Sequence, residues 1–314
     1  MRIKINPAQG VLAALIASPA LAADVTTYQD WKTADVQAGL ASSFALAWDD
    51  LYVKRSPSEW RNALDGLTLG AAFAVPLSRD REPGPRDGQA AGRQTCSSTL
   101  QVTAQYEPIG HWFARATAYA YLDEDRQAPW NPDFSYSFGY DDPRPFSLSL
   151  VYANYGGNRF SPDRRDDEVA TRFNGGTWSL GWKLVLPRPL ADPFLIDRDQ
   201  TIPCTANLNL TPRFYDDRLG RDRGWKESVS LGCRAPVAAG FYLEGQVFAY
   251  PDEGDRQPWD PDFTYGFGYN GGWPGNLTVQ YANYSGNRFP GSDRGVSQGR
   301  FKDGEITVSW TYSW

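Results

Sequence analysis

The last ten residues of the chain, "EITVSWTYSW" (Glu305–Trp314), alternate between polar and large apolar side chains. The apolar positions are Ile306, Val308, Trp310, Tyr312 and Trp314, and threonine or serine stands at each position between them. Because successive side chains of a β-strand point to opposite faces, this period of two predicts a strand with one apolar and one polar face. Such a strand suits either a soluble β-sandwich or the wall of a β-barrel, and features elsewhere in the chain favour the barrel.

The composition of the chain favours strands and turns and excludes several classes of function. Its 314 residues include 30 Gly and 23 Pro, which interrupt long helices, together with 12 Trp, 17 Tyr and 16 Phe. A formal net charge of −6 provides no basic surface, so we do not expect a nucleic-acid partner. Past the N-terminus, no run approaches the roughly 20 apolar residues that a transmembrane helix needs.

The N-terminus has the pattern of a secretory signal. Arg2 and Lys4 precede the apolar stretch "GVLAALIASPALA", which ends in small residues around Ala22. The apolar run is too short to span a bilayer, so residues 1–22 are predicted to be a signal peptide that is removed on export.

Residues 23–66 lie between this signal and the first predicted strand. Within them, "SPSEWRNALDG" places Ser56 at a helix N-cap and Glu59 three residues later, which is the pattern of a capping box. We therefore predict a short, partly helical segment that lies in the periplasm or plugs the barrel.

The chain also contains an internal repeat. The stretch "DRQAPWNPDFSYSFGY" (125–140) recurs as "DRQPWDPDFTYGFGY" (255–269). In the same way, "FSLSLVYANYGGNRF" (146–160) recurs as "NLTVQYANYSGNRF" (276–289). A spacing of about 130 residues is too long for a solenoid repeat, so we predict two copies of a unit with several strands.

Alternating segments predict six strands in each of two homologous halves, residues 67–186 and 205–314. The twelve predicted strands are 67–77, 95–106, 111–121, 134–141, 146–155, 175–186, 205–215, 226–237, 240–250, 263–270, 276–285 and 305–314. An even number of strands is what a bacterial single-chain transmembrane barrel requires. The predicted fold is therefore all-β, a single transmembrane antiparallel barrel of about twelve strands that occupies residues 67–314.

The connections between the predicted strands differ at the two ends of the barrel. Alternate connections are long and rich in charge, glycine and proline: 78–94, 122–133, 156–174, 216–225, 251–262 and 286–304. The intervening connections are short, apart from 187–204, which joins the halves: 107–110, 142–145, 238–239 and 271–275. Long outer loops and short periplasmic turns are typical of outer-membrane barrels, so the C-terminus is predicted to lie on the periplasmic side.

With this terminal strand, strand count and loop asymmetry, the chain resembles the Gram-negative outer-membrane β-barrels. By strand number it is similar to the small, substrate-specific, porin-like channels of twelve strands. In that family a terminal aromatic residue, here Trp314, closes the last strand and belongs to the insertion signal. The resemblance implies a location in the cell outer membrane, contact with its lipid and lipopolysaccharide, and insertion by the barrel-insertion machinery.

Strand alternation assigns a polar set of side chains to the barrel lumen. Arg115 and Glu244 occupy equivalent positions six strands apart, so they are expected on opposite walls. The other predicted lumen residues are Lys183, Arg213, Arg234, Tyr119, Tyr121, Tyr242, Tyr250, Asn207, Asn209, Gln101 and Gln105. One interpretation is a channel that favours anionic or hydroxyl-rich solutes, with tyrosines as stacking faces and arginines as donors. The other is that these charges pair with one another and fill the barrel.

A second set of residues is predicted at the outer mouth. It comprises Tyr155, Arg159, Tyr284, Arg288, Trp130 and Trp259. Aromatic rings beside charged groups suit carbohydrate, because rings stack on sugar faces while charged groups bond to hydroxyls. The alternative is that the charges link the loops to one another while the tryptophans anchor in lipopolysaccharide.

Enzymatic activity is not expected. The single histidine, His111, is predicted at the periplasmic end, away from the outer leaflet where a Ser/His lipid hydrolase would act. The spacing of loop carboxylates such as Asp123 and Glu253 gives no specific support to a glycosidase. No motif predicts a cofactor or a metal site. Of the three cysteines, Cys204 and Cys233 are the best-suited disulfide pair, and unpaired buried thiols fit the sequence equally well.

Three functions follow from these patterns, in order of preference. The first is a passive, moderately selective channel for sugars or small anions. The second is a non-conducting barrel that serves exopolysaccharide secretion or envelope organisation and is plugged by residues 24–66. The third is an outer-membrane enzyme.

Overall fold

The computed structural model describes most of the predicted barrel. The described residues are 66–78, 80–81, 94–95, 97–123, 131–155, 158–160, 172–196, 200–216, 219–257, 260–271, 276–284, 287–290 and 300–313. The predictions for the signal peptide, for residues 23–65 and for Trp130, Trp259 and Trp314 lie outside these residues. Within the described ranges, no helix is both long and apolar enough to cross a membrane.

Twelve antiparallel strands form one closed barrel. In chain order they are β1 (Leu67–Pro76), β2 (Thr99–Ile109), β3 (Trp112–Tyr121), β4 (Phe134–Asp141), β5 (Leu148–Asn154), β6 (Thr177–Val185), β7 (Pro203–Asp216), β8 (Arg221–Ala238), β9 (Phe241–Ala249), β10 (Phe263–Gly271), β11 (Leu277–Asn283) and β12 (Glu305–Ser313). Each strand pairs with its neighbours in the sequence, and β12 pairs with β1 to close the wall. The predicted all-β fold and the twelve-stranded antiparallel barrel are confirmed.

The barrel wall has an apolar outer face and a polar inner face. The exposed apolar side chains of β12 are those of its period-two pattern, Ile306, Val308, Trp310 and Tyr312. On the inner face, hydroxyl groups meet across the strands: Thr103 Oγ1 and Thr117 Oγ1 lie 2.9 Å apart. Tyr119 OH and Ser135 Oγ lie 2.9 Å apart in the same layer of side chains. The alternation in the sequence therefore separates an apolar exterior from a polar lumen.

The two rims of the barrel differ in their connections. One rim carries short turns such as 110–111 and 239–240. The start of β1 and the end of β12 also lie at this rim, because they pair with each other. The opposite rim carries long connections such as 284–304. The exception at the short-turn rim is 186–202, which contains the helix α1 (Arg188–Ala191).

The prediction that residues 216–225 form a long outer loop is wrong. β7 and β8 continue through most of this segment, so the connection is reduced to 217–220. The charged residues that predicted a loop stabilise the β7–β8 hairpin instead, because Arg223 Nη1 lies 3.3 Å from Asp216 Oδ2. The same guanidinium nitrogen lies 2.8 Å from Asp255 Oδ1, which ties the hairpin to the neighbouring loop.

Two aromatic clusters lie on the outer face near the long-connection rim. In one, Tyr152 is fully buried under Phe173, with the ring centroids 4.4 Å apart, and its hydroxyl donates to Phe173 O at 2.5 Å. In the other, Tyr281 stacks on Phe301 at 4.3 Å and donates to Phe301 O at 2.8 Å. A 3-10 turn carries each phenylalanine over the wall. The contacts recur at equivalent positions of the sequence repeat, and the homology of the two halves stays a prediction from the sequence.

Removal of the Tyr281 hydroxyl in Tyr281→Phe is expected to lower the free energy of unfolding by about 1 kcal/mol. The Phe301 carbonyl would lose its donor while the ring stacking is kept. Tyr152→Phe makes the same change in the other cluster. Urea unfolding in phospholipid vesicles, followed by tryptophan fluorescence, measures both, and an unchanged free energy in both variants would contradict the role of these hydrogen bonds.

A small apolar cluster lies at the short-turn rim. Ala191 and Ile202, from the connection that contains α1, pack with Cys204. Cys204 is bonded to Cys233 directly across the β7–β8 pair, with an S–S distance of 2.07 Å. This disulfide is the pairing that the sequence analysis favoured. The alternative of unpaired buried thiols is therefore wrong for Cys204 and Cys233.

Candidate functional site

One connected group of polar side chains on the inner wall lies on β8, β9 and β11. Glu244 of β9 stands directly opposite Arg234 of β8 in the strand register. Arg234 Nη2 and Nε donate to Glu244 Oε2 at 2.9 Å and 3.2 Å. The Gln280 amide of β11 donates to the other carboxylate oxygen, Oε1. These three residues, with Tyr242 and Tyr284 beside them, are called the Glu244 cluster.

The two tyrosines of the Glu244 cluster flank its ion pair. The Arg234 guanidinium carbon lies 3.9 Å from the centroid of the Tyr242 ring. Tyr284 follows the end of β11, yet its hydroxyl accepts from Gln280 Nε2 at 3.2 Å, so its ring turns back into the lumen. The ring is 54 % exposed there.

Two glycines of β10 leave the space that the Glu244 cluster occupies. Gly266 stands opposite Glu244 and Gly268 opposite Tyr242. A Cβ at Gly266 would lie 2.9 Å from Glu244 Oε1, and one at Gly268 would lie 2.6 Å from the Tyr242 hydroxyl. The small residues of "YGFGY" therefore allow the charged and aromatic side chains of β9 to lie along the wall.

A cavity of about 370 Å³ opens into the lumen beside the Glu244 cluster. Three members of the cluster, Arg234, Glu244 and Tyr284, line it, and so do Asn207 and Gln246. Both amides donate to Ser230 Oγ, at 3.4 Å and 2.9 Å. Their carbonyl oxygens have no hydrogen-bond partner among the described residues, so the cavity has acceptors as well as the donors of Arg234.

On the opposite wall, Arg115 occupies the position of the repeat that is equivalent to Glu244, and its contacts differ from those of Glu244. Arg115 of β3 stands opposite Gln105 of β2, whose Oε1 accepts from Arg115 Nε at 2.6 Å. Gln105 Nε2 in turn donates to Glu107 Oε1 at 2.5 Å. The Arg115 guanidinium lies 5.5 Å from the centroid of the Phe113 ring. Within the described part of the chain, no carboxylate contacts Arg115, so its positive charge has no directly bonded counter-ion.

The other predicted lumen cations lie nearer the rims and are paired. Lys183 Nζ lies 2.8 Å from Asp141 Oδ1 at the short-turn rim. Arg213 Nε donates to Asp222 Oδ2 at 2.9 Å near the long-connection rim. With the Arg234–Glu244 pair, these contacts favour the interpretation in which charges in the barrel pair with one another, and they leave Arg115 as the exception.

The remaining predicted tyrosines line the wall at the long-connection end of the lumen. The hydroxyls of Tyr121 and Tyr250 each donate to a backbone carbonyl of the following loop, at 3.0 Å and 3.1 Å. The ring of Tyr155 meets that of Tyr119 edge-on, with centroids 5.9 Å apart. Tyr155 is 53 % exposed, so it presents a ring face to the lumen in the same way as Tyr284.

The two arginines predicted at the outer mouth are buried inside the loops. Arg159 Nη1 lies 2.9 Å from Asp133 Oδ1. Arg288 Nη1 lies 3.6 Å from Asp262 Oδ1, and the same guanidinium donates to two backbone carbonyls. At 7 % and 5 % exposure, neither arginine is accessible to a solute. These contacts favour the interpretation in which charges link the loops to one another.

His111 lies in the turn between β2 and β3, at the short-turn rim. Its Nε2 is 3.9 Å from Asp142 Oδ1. Burial alone would raise the pKa of Asp142, but hydrogen bonds from Arg144 outweigh it and hold that pKa below its usual value. Across the residues that the structure describes, no group of three or more His, Cys, Asp or Glu side chains is placed to hold a metal ion.

One amide of the site, Gln280, is not among the residues that the sequence singled out. Gln280 bonds to Glu244, whereas Gln105, which bonds to Arg115, is among the predicted lumen residues. For Gln280 a signal exists in the repeat, because "VQYANY" has glutamine where the first copy, "LVYANY", has Val151. A polar residue at an inward position of one copy indicates a contact that the other copy lacks.

Solved structures similar to this chain include outer-membrane porins and channels. OmpF from Salmonella typhi, solved in complex with daunomycin, has 9% sequence identity and a TM-score of 0.34, over 79% of this chain and 97% of that one. The NanC porin has 10% identity and a TM-score of 0.38, over 79% and 98%. An outer-membrane channel from Pseudomonas putida F1 has 11% identity and a TM-score of 0.36, over 83% and 100%.

No protein-family model and no curated protein sequence matches the chain. With TM-scores below 0.5, the structural similarities identify neither a family nor a solute.

Proposed function

We propose that the chain is an outer-membrane β-barrel that acts as a passive, moderately selective channel for small hydrophilic solutes such as sugars or anions. The observation that carries this proposal is the reversal of polarity across the barrel wall. The outer face exposes apolar side chains such as Val102 and Leu180, whereas the inner face carries hydroxyls, amides and charged groups. An apolar exterior suits contact with lipid, and a polar lumen suits water and dissolved solutes.

The difference between the rims supports an orientation. Long connections of bacterial barrels face outward and short turns face the periplasm, so the short-turn rim is assigned to the periplasmic side. A solute that crosses the barrel would then meet Arg115 on one wall and the Glu244 cluster on the other. The charge of Arg115 favours anions, and the cluster offers both hydrogen-bond donors and acceptors.

Ion conductance across planar bilayers tests the channel function. The mature protein, purified from outer membranes of a Gram-negative host, is expected to produce stepwise currents in potassium chloride. A shift of gel mobility on heating shows that the same preparation contains folded barrel. Protein that shows this shift but never conducts would contradict the proposal.

The change Arg115→Gln is expected to move the ion selectivity of the channel toward cations. A unit charge about 10 Å from a permeating ion in water contributes about 0.4 kcal/mol, with opposite sign for an anion and a cation, so the anion-to-cation permeability ratio should fall about fourfold. The reversal potential under a salt gradient measures this ratio. Arg115→Lys keeps the charge and serves as the control. An unchanged reversal potential in Arg115→Gln would show that this arginine does not set the selectivity.

A further inference from the structure

The two walls of the lumen differ in charge at equivalent positions. On one wall, Arg115 is bonded to the neutral amide of Gln105. On the other, Arg234 is bonded to the carboxylate of Glu244, so the pair carries no net charge. An arginine that lies over an aromatic ring is common to both walls. Both walls therefore place an arginine near an aromatic ring, at 5.5 Å on one and 3.9 Å on the other, with different electrostatics.

We propose that the Glu244 cluster and the cavity beside it form a binding subsite for neutral, hydroxyl-rich saccharides, an assignment that rests on the proposed channel function. Sugar hydroxyls both donate and accept hydrogen bonds. Arg234 Nη1 has no hydrogen-bond partner among the described residues and is a donor toward the cavity, whereas Glu244 is an acceptor. A ring that carries adjacent hydroxyls can bond to both members of the pair at once.

The charge balance of the pair selects for neutral solutes. An anion attracted by Arg234 would be repelled by Glu244, whose carboxylate oxygen lies 2.9 Å from the guanidinium. A cation would meet the reverse arrangement, so neither ion gains much Coulomb energy. A neutral polyol needs no net charge, and the carbonyl oxygens of Asn207 and Gln246 give it further uncharged acceptors.

Tyr284 supplies the apolar contact that saccharide sites combine with hydrogen bonds. Its ring is half exposed to the lumen, and the hydrogen bond from Gln280 to its hydroxyl fixes its orientation. The C–H face of a sugar ring packs on such a surface. The cavity of about 370 Å³ lies within the range of roughly 300–1,000 Å³ that is usual for small-molecule sites.

Block of the ion current by maltotriose, a neutral trisaccharide, tests the subsite. Glu244→Gln leaves the Arg234 charge unbalanced and removes a charged acceptor, so the half-blocking concentration should rise about five- to tenfold. Tyr284→Ala removes the stacking face and should raise it about fivefold. Tyr106→Ala removes an exposed tyrosine of the outer face and is the matched control, for which no change is expected.

The results of these experiments distinguish failure of the proposed subsite from failure of the proposed channel function. A protein that conducts ions but is not blocked by maltotriose would overturn the subsite and leave the channel function intact, whereas absence of conductance would overturn the channel itself. An equal loss of block in Tyr155→Ala and Tyr284→Ala would overturn the assignment to this wall. Stronger block by glucuronate than by glucose would overturn the preference for neutral sugars.

Discussion

The change Val102→Arg is expected to lower the free energy of unfolding of the bilayer-embedded barrel by about 2–4 kcal/mol. Val102 is 54 % exposed on the outer face, near the middle of β2. Its partners in the register are Ala71 of β1 and Ala118 of β3. These small side chains offer no counter-charge, so the guanidinium would face hydrocarbon or deform the bilayer around it. Urea unfolding in phospholipid vesicles, followed by tryptophan fluorescence, measures the loss.

The neighbouring change Gln101→Arg is the matched control for this prediction. Gln101 precedes Val102 on β2 and therefore faces the lumen, beside Tyr119 in the register. An arginine at that position can stay hydrated, so the free energy of unfolding should change by less than about 0.5 kcal/mol. Equal losses in both variants would contradict the polarity of the two faces. No loss in Val102→Arg would contradict a barrel embedded in lipid.

The fold could be predicted from the sequence because the pattern of a barrel wall is local. Each strand shows its two faces within about ten residues, as β12 does in "ITVSWTYS" (306–313). Antiparallel neighbours that follow one another in the chain then need only short turns at one rim. The twelve strands could therefore be found one at a time, without knowledge of which residues meet across the wall.

The hairpin of β7 and β8 shows where local pattern fails. Residues 216–225 are charged and contain glycine, and they lack the apolar alternation that marks the wall. Their pairing depends on contacts across the hairpin, such as Arg223 with Asp216, and these exist only in one register. A single sequence shows the charges but not the partners, so it predicts a loop there.

The sequence could predict which side of the barrel wall each residue of the candidate site faces, but not which of these residues contact one another. Period-two alternation places Arg234 and Glu244 in the lumen, yet only the register of β8 against β9 sets them opposite each other. Alternation also does not predict where side chains point beyond the end of a strand. Arg159 and Arg288 follow β5 and β11, and the loops fold back so that both guanidinium groups are buried against carboxylates. The sequence therefore finds the lumen residues and misses which charges are neutralised.

The change Asp262→Ala is expected to lower the free energy of unfolding by about 3–5 kcal/mol. The side chain of Asp262 is only 8 % exposed and pairs with both Arg256 and Arg288, whose side chains are 13 % and 3 % exposed. Its Oδ2 also accepts from the backbone N–H of Phe289 at 2.9 Å. Removal of the carboxylate leaves two nearly buried guanidinium groups without this counter-ion, and that cost exceeds the loss of an exposed ion pair.

The equivalent change in the other loop, Asp133→Ala, tests the same arrangement in the first copy of the repeat. Asp133 accepts from the N–H of Phe160 at 3.0 Å and pairs with Arg159. Removal of the carboxylate beside the nearly buried Arg159 is expected to lower the free energy of unfolding there by about 3–5 kcal/mol as well. Unfolding of both variants under the same conditions as Val102→Arg gives the comparison. A loss below about 1 kcal/mol in both variants, as for an exposed ion pair, would mean that the loops are held by backbone contacts instead of by charge.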